Sequence, residues 1–188
     1  MGLLERKKNK SIHTRSISLT THEADNHCII VEGVLKDNRL IDVYMLSGEP
    51  RSPGVIHHMA VRLLVGPPGL TIQDIEVEMP VTPRPNCGET IKAYDRIKGV
   101  SIQQGFTAKI KEMMGGKNGC AHLTTLLVAM GPEAVQGYYA HYAQAPPETI
   151  DSRLKLAMAG HLKNTCHVWR EEGPAYRELV EKVSKTAE

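Results

Sequence analysis

Aromatic residues are scarce in this chain, with one Phe, one Trp and six Tyr in 188 residues. Proteins that grip single-stranded nucleic acid stack its bases on aromatic side chains, so the composition argues against that class. Neither charge sign is in excess: 23 Lys plus Arg stand against 21 Asp plus Glu. The two signs intermingle after the first ten residues, and no basic face for a duplex is expected. No apolar run approaches the roughly 20 residues that a membrane-spanning helix needs. The segment Met1 to Lys10 has only Leu3 and Leu4 as apolar material among Glu5, Arg6, Lys7, Lys8 and Lys10, unlike the core of a signal peptide. Arg6 also stands where a myristoylation signal carries Ser or Thr. These absences predict a cytoplasmic protein with neither nucleic-acid nor membrane partners.

The sequence also lacks a Cys-x-x-Cys pair, zinc-ribbon spacing, a Walker loop, internal repeats and low-complexity linkers. In a reducing compartment its four cysteines, Cys28, Cys87, Cys120 and Cys166, are expected as thiols, metal ligands or transient redox groups. The economical division is a flexible basic N-terminus over residues 1–11 and one domain over residues 12–188, long enough to bury a sizeable core.

Periodicity places strands first. Cys28 to Leu35 and Leu40 to Leu46 are apolar or β-branched runs about the polar cluster Lys36-Asp37-Asn38-Arg39, read as a turn. Val55 to Val65 and Leu70 to Met79 repeat the pattern about Gly66-Pro67-Pro68-Gly69. Ile75, Val77 and Met79 alternate with Asp74, Glu76 and Glu78, the mark of a sheet wet on one face. After Pro80 the period becomes helical, with Phe106, Ile110 and Met113 or Met114, then Leu123, Leu126, Leu127 and Met130. Further helices are expected from Glu89 to Lys98, Thr149 to about Trp169 and Pro174 to Ser184. The fold class is therefore α+β: an antiparallel sheet of about four strands in the N-terminal half, with the C-terminal helices packed on one face.

Chemistry concentrates at Gly115-Gly116-Lys117-Asn118-Gly119-Cys120. Its glycines suit a tight turn between two helices, placing Cys120 at a helix start, where free N–H groups and the helix dipole favour a thiolate. Cys120 is thus a candidate nucleophile or metal ligand; the competing reading is a small core residue behind a glycine cap. His122 lies two positions on, on the opposite side of a regular helix, so it joins Cys120 in one site only if Cys120 is the cap. His57 and His58 sit in a strand and face opposite ways, His57 with Val61 and Leu63, His58 with Arg62. Cys87 lies in a loop after the last strand, where a sheet commonly presents functional groups. Cys166-His167 is a further soft-ligand pair.

Ile12-His13-Thr14-Arg15, Ile56-His57-His58-Met59, Asn86-Cys87, Gly119-Cys120-Ala121-His122-Leu123 and Cys166-His167 together resemble the bacterial domain-of-unknown-function family DUF2889. The resemblance runs from about Ile12 to Trp169 and implies no activity. His58 stands where the family pattern has Asp, which leaves His57 as the better ligand of the pair. More distantly, the arrangement is similar to U-type iron-sulfur cluster assembly scaffolds, which implies a site of His57 or His58, Cys87 and Cys120 completed by His122, Cys166 or water. Such a donor set suits Zn²⁺ or an iron-sulfur cluster. Two other functions compete with that reading. One is acyl or sulfur transfer by a Cys120 nucleophile with His57 or His122 as base. The other is a non-catalytic module whose tyrosine-rich stretch Tyr138 to Tyr142 meets a partner or a second copy.

Overall fold

In the computed structural model, which describes residues 2–146 and 149–185, the apolar run Cys28 to Leu35 becomes a central strand of the sheet. Ile29, Val31 and Leu35 of β2 (Cys28–Arg39) are fully buried, while Ile30, Glu32 and Val34 on its other face are half-exposed. On one side β2 pairs with β1 (His13–Ala24) and on the other with β5 (Gly54–Gly66), which in turn pairs with β6 (Thr71–Val81). All three pairings are antiparallel, in the order β1-β2-β5-β6. One face of the sheet carries the core; the other is wet, and there Arg62 binds Glu32 and Glu78 at 2.7 Å each.

Helices cover the core face. A 3-10 segment, Pro85–Ile97, leads to α1 (Phe106–Met114) and then α2 (Ala121–Tyr142). Leu123, Leu126, Leu127 and Met130 of α2 are fully buried against β2 and β5. Gly33 lets α2 lie this close: a Cβ there would fall 2.9 Å from Met130 Sδ and 3.0 Å from Leu126 Cδ1. Two shorter helices follow, α3 (Ser152–Leu162) and α4 (Pro174–Lys185). Asp151 starts α3 by accepting hydrogen bonds from the N–H groups of Arg153 and Leu154, at 2.8 and 3.2 Å, the expected role of a short acidic cap.

The α+β class and the strand-then-helix order match the sequence reading; four segments do not. Lys36 to Arg39 is not a turn, because β2 runs through it. Leu40 to Leu46 contributes only the two-residue β3 (Val43–Tyr44), paired with β4 (Pro50–Arg51) in a separate ribbon. The fourth strand of the main sheet is instead β1, an edge strand so largely polar and exposed that it offers little alternation to read. The helix expected from Glu89 to Lys98 is the 3-10 segment, and the one expected from Thr149 to Trp169 is confined to α3. Among the described residues no helix is long and apolar enough to cross a membrane. Met1, at the head of the basic N-terminus, lies outside the described residues.

Candidate functional site

Strand register assembles the site. Arg15 on β1 is the cross-strand partner of Asp37 on β2, and Asp37 is the partner of His57 on β5. Side chains directly opposite one another in an antiparallel sheet lie close enough to interact, and here they form one row across three strands. Arg15 donates from Nε to Asp37 Oδ1 and from Nη2 to Oδ2, both at 2.7 Å. His57 Nδ1 lies 3.0 Å from Oδ2, and His13 Nε2 lies 4.0 Å from Oδ1. The Asp37 side chain is only 2% exposed, whereas that of Arg15 is 38% exposed. The bidentate guanidinium holds the Asp37 carboxyl below its ordinary range, against the upward push of burial, and His57 adds to the effect.

The first turn of α2 closes over this row. Cys120 is the N-cap residue in extended conformation, so Cys120 and His122 can face one centre, as the cap condition requires. Cys120 Sγ lies 3.8 Å from His122 Nδ1. On the far side of the same ring, Nε2 lies 3.6 Å from Asp37 Oδ2, and the imidazoles of His57 and His122 sit with centroids 3.7 Å apart. Burial lowers the His122 pKa from its ordinary 6.5, helped by the neighbouring His57 and Arg15 and opposed by Asp37. The positive end of α2 therefore meets an ionised carboxylate, a favourable placement.

Tyr94, fully buried on the 3-10 segment, fixes Cys120. Its hydroxyl accepts from the Cys120 N–H at 2.9 Å and donates to the Cys120 carbonyl at 3.2 Å. Gly119 has no room for a side chain, since a Cβ would fall 2.7 Å from the Met114 carbonyl oxygen and 2.9 Å from Tyr94 Oη. Tyr94→Phe removes both hydrogen bonds to the part-buried Cys120 backbone, and the expected loss of stability is about 1–2 kcal/mol, read from urea denaturation.

Among the described residues, Asp37, His57 and His122 are the group of three or more His, Cys, Asp or Glu side chains able to share a metal, with one donor atom from each within 4.8 Å of the others. The sequence reading named His57, Cys120 and His122, and the fold brings these together. Cys87 lies at the start of the 3-10 segment and Cys166 is exposed beyond α3, both outside that trio. The sequence reading gave no role to Asp37, Arg15 or Tyr94. Asp37 had a readable signal: it continues the parity of Val31, Gly33 and Leu35, the buried face of β2.

The chain matches the family described as protein of unknown function (DUF2889) over residues 13–136. It belongs to the DUF2889 family. His13, Arg15, Asp37, His57, Cys87, Cys120 and His122 all fall inside the matched segment of this DUF2889 protein, whereas Cys166, α3 and α4 lie beyond it. No curated protein and no solved structure matches.

Acid should weaken the metal-free DUF2889 chain in two stages. His122 and His161 both have folded pKa values lowered from 6.5, chiefly by burial, so the unfolded chain takes up more protons. Their contribution is whole above pH 6.5 and declines as pH falls towards the folded values. Asp37, lowered from 3.8, contributes above that pH and loses its share as pH falls further, through its folded value. Denaturation at pH 7.5 and 5.5 is expected to show the lower stability at 5.5; equal midpoints would contradict the burial of these imidazoles.

Proposed function

We propose that the DUF2889 domain binds one divalent transition-metal ion through Asp37, His57 and His122. The observation that carries this reading is the convergence of the three donors on the core face of the sheet. Measured from Asp37 Oδ2, His57 Nδ1 is at 3.0 Å and His122 Nε2 at 3.6 Å. Neighbouring ligands of a tetrahedral ion with bonds of about 2.0–2.1 Å are separated by roughly 3.4 Å. A carboxylate offers about four lone-pair directions, so Arg15 can retain Asp37 and keep it ionised while Oδ2 turns to a metal. Cys120 Sγ, beside His122 Nδ1, is placed to accept that nitrogen's proton and so direct Nε2 to the ion, the usual division of labour around a ligating histidine.

Two imidazoles and one carboxylate suit Zn²⁺ or Fe²⁺ in an open site. An iron-sulfur cluster requires thiolates, and the trio contains none. The test is metal analysis and zinc titration of the chelator-stripped, folded chain. About one tight equivalent supports the proposal, and a folded chain with no more affinity than a His57→Ala, His122→Ala double variant removes it.

A second reading rests on the chain Cys120 Sγ, His122 and Asp37 Oδ2, spaced at 3.8 and 3.6 Å. Here His122 takes the thiol proton and Asp37 orients the ring, leaving Cys120 as a nucleophile for acyl transfer. With Cys87 and Cys166 replaced by Ser, this reading expects Cys120 to react with iodoacetamide at pH 7 faster than a free cysteine peptide, and to lose that advantage in His122→Ala. An ordinary rate in the parent excludes it.

A further inference from the structure

A cavity lies beyond the family match. α3 and α4 pack on each other and, with the end of α2, border a half-open space of about 220 Å³. The described residues lining this space all lie past residue 136, where the DUF2889 match ends. The walls are apolar, chiefly Tyr139, Ile150, Met158, Ala159, Leu162 and Leu179. Among the described residues lining it, Lys155 alone is charged. It is half-exposed and has no carboxylate partner among the described residues.

Volume and charge together select an occupant. An engineered apolar cavity of about 150 Å³ is large enough to take benzene. The larger space here suits an apolar body of about eight carbons by the same comparison. A single lysine matches one negative charge. A phosphate monoester, doubly charged and rich in acceptor oxygens, would call for further donors, and the described residues lining the cavity include no second cation. Next to it is a narrower space that shares Tyr139, Met158 and Leu162 with its wall. His161 lines that space, and its Nδ1 is buried without a hydrogen-bond partner. This unmet bond is one that a water carried in with a ligand would satisfy.

We propose that this cavity binds an apolar monocarboxylate of about eight carbons, with the chain packed between α3, α4 and the end of α2 and the carboxylate paired with Lys155. The site is independent of the metal centre, so the two stand or fall separately. It adds a ligand-binding element outside the segment that the family shares.

Calorimetric titration of the full chain with octanoate and, separately, 1-octanol tests the proposal, alongside the Lys155→Met and Ala159→Phe variants. In the parent, octanoate should saturate at about one per chain and bind about tenfold tighter than the alcohol, as one charge-assisted hydrogen bond provides. Lys155→Met should erase that difference, and Ala159→Phe should abolish binding of both. The methyl resonance of Met158 reports occupancy independently of the variants, and it should move with octanoate in step with the heat. Equal binding of acid and alcohol by the parent overturns the charge pairing. No saturable binding, a stationary Met158 methyl, or binding that survives in folded Ala159→Phe overturns the site itself.

Discussion

His57→Ala and His122→Ala are each expected to weaken Zn²⁺ binding by more than about a hundredfold, since even partners outside the first coordination sphere are worth 10- to 100-fold. His57 stands on β5 and His122 in the first turn of α2, so each loss removes a donor that the fold itself positions. Cys120→Ser should have a smaller effect, because it leaves the trio intact and removes only the partner of His122 Nδ1. Cys87→Ala and Cys166→Ala should leave affinity within about threefold of the parent, less than half a decade on the affinity scale. Competition with a chromophoric chelator measures all five variants on one scale. A Cys87→Ala loss as large as that of His122→Ala would transfer the centre to the thiolates and revive the scaffold-like donor set.

Arg15→Met is expected to cost about 3 kcal/mol at pH 8, the size of effect that follows when a buried ion pair loses one partner. The cost arises at Asp37, not at Arg15: the carboxylate is 2% exposed and keeps its burial when the guanidinium goes. His57 and His122 are then the nearest groups able to carry a compensating proton, at 3.0 and 3.6 Å from Oδ2. Protonation of an imidazole beside the unpaired carboxylate offsets part of the cost in acid and not at pH 8. The penalty of Arg15→Met should therefore be smaller at pH 5.5 than at pH 8, as read by urea denaturation of the metal-free proteins. A penalty independent of pH would mean that the imidazoles do not answer for the missing charge.

The legible half of this site was carried by period and parity. His57 shares its strand face with Val61 and Leu63, and that face is the one α2 covers. The glycine-rich turn before Cys120 placed the thiol at a helix start, where it stands as the N-cap. The carboxylate stayed hidden because Lys36-Asp37-Asn38-Arg39 has the composition of a turn. Pairing with β1 and β5 overrides that local preference and extends β2 through it. Arg15 is silent for a related reason, since an edge strand with little apolar alternation shows its neighbours only once the register is known. The 3-10 form of Pro85–Ile97 and the reach of the Tyr94 hydroxyl to Cys120 depend on tertiary packing alone. Nothing in the spacing of Tyr94 and Cys120, 26 residues apart, announces that contact.

Metal content against site identity is the most direct measurement. The chain is purified without chelating tags, stripped, refilled with Zn²⁺ and desalted, and its metal is counted by mass spectrometry beside a His57→Ala, His122→Ala variant shown to be folded by circular dichroism. The metal-centre account predicts about one zinc per chain in the parent and close to none in the variant. Equal zinc in the two, or none in a folded parent, would contradict it.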